Sequence, residues 1–189
     1  MKFENSETLQ CLVNAFVGES QARNKYTFYS KIARKEGFVQ ISEIFLETAE
    51  NELEHAKLFY KLIPNGNYIP NTNYPFFIGD TCENLISASL AERDEWENIY
   101  KNSSQIAKSE GFDEISFLFY NIAEIEKRHS HRYSVLAEEL KNNTLFKKNE
   151  VSQWICQKCG HTFIGKNAPV KCPVCGHEQG YFKLFVDKF

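Results

Sequence analysis

Apolar residues along the first three-quarters of the chain recur in steps of three and four. Between 38 and 63 they fall at Phe38, Ile41, Phe45, Ala49, Ala56, Phe59 and Ile63, which is one face of a helix. A matching stripe runs through Ile115, Phe119, Ile122, Tyr133 and Leu136. Residues 4–141 therefore read as four helices. Breaks fall at Gly37, at "PNGNYIPNTNYPFFIGD" (64–80), at Gly111 and around "KNNT" (141–144). The two short glycine joints predict antiparallel hairpins, and the long middle segment predicts a crossover. From Trp154 onward the chain changes to Cys, Gly, Pro and aromatics in short β-like runs. That stretch is too small for an independent apolar core and suits a metal-stapled module. The expected division is a helical bundle over 1–141, a linker over 142–153 and a module over 154–189.

The helical part contains a duplication. "KIARKEGFVQISEIFLETAENELEH" (31–55) aligns with "QIAKSEGFDEISFLFYNIAEIEKRH" (105–129) at an offset of 74 residues. Glu36, Gly37, Ser42, Phe45, Glu50, Glu52 and His55 are among the residues that recur, Glu52 as Glu126 and His55 as His129. Tyr26 maps to Tyr100 at the same offset, but Glu19 maps to Glu92 at an offset of 73. One extra residue thus lies between Glu92 and Tyr100. A helix absorbs one residue as a π-bulge, so an irregularity is expected near 93–99.

Both stripes have a gap at the same place. Glu52 fills the first, with His55 beside it; Glu126 and His129 fill the second. Glu50 and Glu54 fall off the stripe and read as solvated. On the first helix Glu19 lies between Phe16 and Tyr26, and on the third Glu92 and Glu95 lie between Leu85 and Ile99. Five carboxylates and two imidazoles thus point inward at mid-helix height. Burying them bare would be prohibitive, and they would repel one another. A multivalent metal centre resolves the conflict. A lone Glu-x-x-His is usually a solvated pair. Two of them at duplicate positions, with glutamates on both other helices, follow the pattern of ferritin-like dinuclear carboxylate sites. Oxygen and imidazole donors suit iron or manganese.

The tail holds Cys156, Cys159, Cys172 and Cys175 as two Cys-x-x-Cys turns, each followed by a glycine. Four such thiolates can surround one ion tetrahedrally. The glycines should let backbone N–H groups point at sulfur, and Trp154, Phe163, Tyr181 and Phe185 are candidates for a small aromatic core. Spacing does not decide between iron and zinc, and the module taken alone favours zinc. Cys11 and Cys82 stand apart and have no assigned role.

Charge narrows the classes further. The net charge is −3, with Lys and Arg scattered among acids, so neither nucleic acid nor an anionic membrane is an expected partner. No apolar run approaches a bilayer span, and "MKFENSETLQ" lacks the apolar stretch of a signal peptide. A soluble intracellular protein is expected.

Together the segments "GESQARNKY", "FLETAENELEHAK", "AERDEW" and "CQKCG…APVKCPVCGHEQGYF" resemble the rubrerythrin family over essentially the whole chain. The resemblance implies a mainly α protein: a ferritin-like four-helix bundle with a long crossover, plus a small β-rich rubredoxin-like C-terminal domain. It implies two irons on Glu19, Glu52, Glu92, Glu95, Glu126 and His129, with His55 as the ligand that exchanges with a carboxylate. It implies one iron, rather than zinc, on Cys156, Cys159, Cys172 and Cys175. The implied activity is a cytoplasmic peroxidase of oxidative-stress defence, reducing hydrogen peroxide to water. Its electrons would come from an NAD(P)H-linked rubredoxin reductase or a rubredoxin, and it would work as a head-to-tail homodimer.

Charge counting suggests how the exchange works. Two ferrous ions carry a charge that four carboxylates match. Oxidation adds positive charge, so a fifth carboxylate, Glu95, should then replace neutral His55. Glu52 and Glu126 are the expected bridges. Glu95, when off the metals, could carry a proton to the departing hydroxide. Tyr26 and Tyr100 could hydrogen-bond ligand carboxylates, the alternative being ordinary core aromatics. Leu46, Leu53 and Tyr60 form a second apolar line that suits either another subunit or the flank of the core. Two other functions stay open: oxygen reduction or ferrous oxidation, and a non-enzymatic electron carrier with a structural zinc tail.

Overall fold

The computed structural model describes residues 2–186. Helices α1 (Glu7–Lys35) and α2 (Val39–Leu62) form one hairpin. The second hairpin pairs α5 (Asp113–Lys141) with one long helix made of α3 (Thr81–Asp94), a π-helical turn (Glu95–Ile99) and α4 (Tyr100–Ser109). The π turn lies where the extra residue between Glu92 and Tyr100 required it. Gly37 and Gly111 turn the two hairpins, with φ of +88° and +86°, a region that costs an L side chain about 1 kcal/mol or more.

The duplication sets how the hairpins clasp each other. Glu110, in the second turn, accepts from the Glu7 and Thr8 amides at 3.0 and 2.9 Å, capping α1. Its counterpart Glu36 accepts from the Thr81 amide at 2.9 Å, capping α3. Each turn thus satisfies orphan N–H groups of the opposite hairpin, where a carboxylate also favours the helix dipole. Serine pairs repeat the pattern, Ser30 with Ser42 and Ser104 with Ser116, each at 3.0 Å. Asp80 and Glu83 add a capping box at the start of α3.

The crossover after Leu62 is extended and runs along α1. Asn71 donates its amide to the Asn14 side chain at 2.8 Å, and Tyr74 donates its hydroxyl to the Asn14 carbonyl at 3.1 Å. Farther up, Tyr29 donates to the Phe77 carbonyl at 2.8 Å. Inside the bundle, aromatic clusters lie on either side of mid-height. Tyr26, Tyr29, Phe45 and Tyr133 form one; Phe59, Tyr100 and Phe119 form the other.

The C-terminal module is an antiparallel sheet in the order β2-β1-β3: β1 (Lys147–Cys156), β2 (Thr162–Asn167) and β3 (Phe182–Leu184). Strand β1 begins inside the segment expected to be a linker. Leu145 in that segment is buried in the bundle core, and Phe146 packs against the cores of both bundle and module. The module's core is Trp154, Ala168 and Phe182 with the cysteines. Phe163, on β2, is exposed instead. Phe185 lies outside this core, and Tyr181 packs only at its margin.

The module docks on its own bundle. Phe146 stacks on Phe38 with centroids 6.4 Å apart and planes within 10°. Gly180 lies so close to the Gly37 turn that a Cβ added there would collide with the Gly37 carbonyl oxygen. Replacing Gly180→Ala is therefore expected to undock the module while leaving both metal sites folded. Limited proteolysis checks this: cleavage near residues 141–147 should accelerate, with the cysteine-site absorption spectrum unchanged. Wild-type cleavage rates would contradict the docking.

Candidate metal centres

Mid-bundle, Glu19, Glu52, His55, Glu92, Glu126 and His129 come together, nearly or wholly buried. They fall into two groups. Glu19, Glu52, His55 and Glu126 offer donor atoms within 4.8 Å of one another, and so do Glu52, Glu92, Glu126 and His129. Glu52 and Glu126 belong to both, which is the geometry of two carboxylates spanning two adjacent cations. His55 Nδ1 stands 2.8 Å from Glu52 Oε2 and 2.9 Å from Glu126 Oε1. His129 Nδ1 stands 2.8 Å from Glu126 Oε2 and 3.4 Å from oxygens of Glu52 and Glu92.

These atoms are close but not paired. Both oxygens of Glu52 and of Glu126, one oxygen each of Glu19 and Glu92, and Nδ1 of both histidines are buried without a hydrogen bond. Buried polar atoms are normally satisfied, so converging orphan donors of one kind mark a place for cations. The set is oxygen-rich with one imidazole per group, which fits a di-iron pair.

Glu95 belongs to neither group. It sits on the π turn, surrounded by protein yet partly accessible because it lines a cavity. Tyr26 donates its hydroxyl to Glu92 Oε1, and Tyr100 donates to Glu19 Oε1. Each tyrosine holds the glutamate of the other hairpin, and both are fully buried.

Asn51 has no signal in the sequence. Its Oδ1 lies 3.3 Å from His129 Nε2, which fixes that ring with Nδ1 facing the centre. The duplicate position of Asn51 is Ile125, which offers His55 no such acceptor. Tyr133 was also missed as a polar group: its hydroxyl is buried and unpartnered, and its duplicate is Phe59.

Electrostatics follow from the crowding. Burial, then repulsion from Glu52 and Glu126, raises the Glu19 carboxyl well above its ordinary range. Burial and neighbouring carboxylates raise Glu95 and Glu126 likewise. Burial opposes charge on His129, but Glu126, Glu52 and Glu92 outweigh it and push the imidazole up to about 12. His55 is raised too, its burial outweighed by Glu52 and Glu19. Glu52 goes the other way, to about 2, because His129 and His55 overcome its burial.

In the module, Cys156 Sγ and Cys175 Sγ are 3.7 Å apart, as are Cys159 Sγ and Cys172 Sγ. A disulfide is about 2 Å long, whereas a tetrahedron with about 2.3 Å metal–sulfur bonds has edges near 3.8 Å. The four thiols fit one tetrahedral ion. Gly160 and Gly176, with φ of +76° and +75°, donate to the Cys156 and Cys172 carbonyls, each at 2.9 Å. The glycine amides are therefore spent on carbonyls rather than aimed at sulfur. The positive-φ glycine closes each turn with its own N–H.

A family model described as rubrerythrin matches residues 10–137, and one described as the rubredoxin-like domain of rubrerythrin matches residues 154–183. Rubrerythrin-1 of Clostridium acetobutylicum is 46% identical over 191 residues, the match covering 98% of each chain. Rubrerythrin of Clostridium perfringens is 44% identical over 191 residues, again covering 98% of each. A solved structure of nigerythrin in its fully reduced, all-ferrous state superposes with a TM-score of 0.64 at 28% identity, covering 97% of this chain and 91% of that one. Fold class and iron sites agree: a ferritin-like bundle with a di-iron centre, and a rubredoxin-like domain with four cysteines for one iron.

Two outcomes follow. Tyr26→Phe and Tyr100→Phe should each weaken iron binding by the bundle about 10- to 100-fold, leaving the cysteine site intact. Titration of metal-free protein with ferrous ion, watched beside the cysteine-site spectrum, measures this. The second concerns pH. Glu19, Glu95, Glu126, His55 and His129 all hold protons more tightly folded than unfolded. The metal-free folded state therefore binds more protons, and its stability should fall as pH rises above about 5 and on through the histidine range. Thermal midpoints of chelated protein should drop with rising pH, and iron should flatten that slope.

Proposed function

The chain belongs to the rubrerythrin family, and on that premise we propose that it reduces hydrogen peroxide to water in the cytoplasm. The observation that carries the reading is the sharing of Glu52 and Glu126 between two donor groups, in a chain that also holds a four-cysteine site. When bound, a ferrous pair supplies together the two electrons that cleavage of one O–O bond consumes. The cysteine site would refill the pair one electron at a time.

Glu52 and Glu126 would span the two ions, with Glu19 and Glu92 at the outer ends. Tyr26 and Tyr100 keep those outer carboxylates oriented through their hydroxyls. His55 stands inside its donor group while Glu95 stands outside, the arrangement expected of the reduced state. Added positive charge on oxidation favours an anion over a neutral ring, so Glu95 would then replace His55. The asymmetry around the imidazoles supports this order. His129 is held through Nε2 by Asn51, whereas Ile125 leaves His55 free to withdraw. A proton on the Glu95 carboxyl can pass to the departing hydroxide.

The electron donor would be an NAD(P)H-linked rubredoxin reductase or a rubredoxin. A head-to-tail homodimer is proposed because the module sits at the Gly37 turn. Glu52 lies 15 residues farther along, about 22 Å at helical rise. Leu46, Leu53 and Tyr60 are exposed along α2 and offer a surface to a second copy. No described helix is long and apolar enough to cross a membrane.

Stopped-flow mixing of fully reduced protein separately with hydrogen peroxide and with oxygen tests the reading. Oxidation of the metal pair should be much faster with peroxide. Faster reaction with oxygen would overturn it in favour of an oxygen reductase or ferroxidase.

A further inference from the structure

A cavity of about 550 Å³ opens beside the paired carboxylates, between α1, α3 and the crossover. Its floor includes Glu95 and Tyr100, the second of which donates to Glu19. Ile86 and Leu90 form part of one wall, and Tyr74 and Phe77 of the crossover form the roof. The lining is predominantly apolar. The roof is anchored rather than loose: Tyr74 is tied to Asn14, and the Phe77 carbonyl to Tyr29.

Size and chemistry disagree with hydrogen peroxide as the sole guest. A water-sized molecule occupies about 30 Å³ in the liquid, whereas this volume falls within the roughly 300–1,000 Å³ of small-molecule pockets. Gln21, Lys25 and Glu95 could hold a small hydrated peroxide, but they leave most of the apolar wall surface unused. Those walls suit a hydrocarbon group whose polar end points at Glu95. The cavity also lies where the duplication breaks. Glu95, on the π turn, falls in the one-residue slip, and the matching stretch of α1 around Gln21 and Ala22 has neither an acid nor a π turn.

We propose that this cavity admits organic hydroperoxides, with the hydrocarbon substituent between Leu90 and the crossover and the O–O group at the Glu95 end. The inference rests on the peroxide-reduction reading and widens its substrate class. The O–O bond of R–O–O–H breaks, and one new O–H bond forms on each oxygen, giving an alcohol and water. Two electrons come from the reduced metal pair of that reading, and two protons from solvent.

The test uses intact iron-loaded protein, with cumene hydroperoxide as substrate and its alcohol product, 2-phenyl-2-propanol, as an unreactive probe. Leu90 is 61% exposed at the cavity mouth, so Leu90→Trp should fold and fill the entrance. Its ratio of kcat/KM for cumene hydroperoxide over hydrogen peroxide should fall about tenfold or more. Phe117→Trp, at an exposed position on α5 away from the cavity, should leave the ratio unchanged. Crystals of reduced wild-type protein, kept anaerobic and soaked in the alcohol, should show it in the cavity, and Leu90→Trp crystals should not. Reduction of hydrogen peroxide but not of cumene hydroperoxide would overturn this inference alone. Equal ratios in wild type and Leu90→Trp would do the same. Inactivity towards both oxidants would sink the peroxide reading, and an empty cavity in the soaked crystals would then overturn the substrate site on its own.

Discussion

Four fully enclosed carboxylates within one helical bundle, with a fifth beside them, form the constraint on which the rest of the structure depends. Their charge cannot be left bare in a medium of low polarizability. It can be cancelled by cations, by protons, or by donors aimed at the oxygens. The bundle uses the last sparingly, one tyrosine hydroxyl each for Glu19 and Glu92. The oxygens of Glu52 and Glu126 receive no hydrogen bond. A site organised for stability alone would satisfy them. One organised for cations leaves them free, because every hydrogen bond on a bridging oxygen competes with a metal for the same lone pairs. Without metal the same crowding forces protons onto the cluster, so metal occupancy and folding are thermodynamically one problem.

Duplication makes this economical. One hairpin carrying a turn glutamate, a serine pair, an inward tyrosine and a Glu-x-x-His contains everything that two copies need to clasp each other. The tyrosine of each copy serves the glutamate of the other, and each turn glutamate caps the other's first helix. The departures from two-fold symmetry are then informative. Glu95 falls in the one-residue slip and has no acidic counterpart at either offset, Asn51 answers to Ile125, and Tyr133 to Phe59. A symmetric site would bind two ions equally well. These substitutions instead give one imidazole a fixed partner, leave the other without one, and place a spare acid at the edge of the carboxylate cluster.

Much of this was legible in the sequence because buried charge interrupts a periodic pattern. The gap between Ala49 and Ala56 exposed Glu52, and the repeat exposed Glu126. The single-residue slip between Glu92 and Tyr100 located the π turn, because a helix has few ways to absorb one residue. Other features were visible but mute. Glu36 and Glu110 recur, yet recurrence does not say which helix end lies within reach. Leu145 and Phe146 are two apolar residues in a polar stretch, too short a run to carry a period, so residues that fasten the module read as linker. Asn51 precedes Glu52 in the chain but acts on a helix 78 residues away. Phe163 and Phe182 both lie on outer strands of the sheet, and composition does not say which of them the module's core covers.

The fastening of the module carries a consequence for electron flow. Phe146 belongs partly to both cores, and Gly180 meets the Gly37 turn backbone to backbone. Little freedom remains for the cysteine site to swing along the bundle towards its own carboxylates. Electron tunnelling falls off exponentially with distance, and the Gly37 turn is about 22 Å along α2 from Glu52 at helical rise. A module that is held at one end of its bundle can still be close to a second copy's mid-bundle if the two chains lie antiparallel. Rigid docking and exposed apolar residues along α2 are then parts of one arrangement. The first fixes where the one-electron site sits, and the second would give another bundle a face to lie against in the proposed homodimer. A flexible linker would have made the donor distance an average; a docked module makes it a property of the fold.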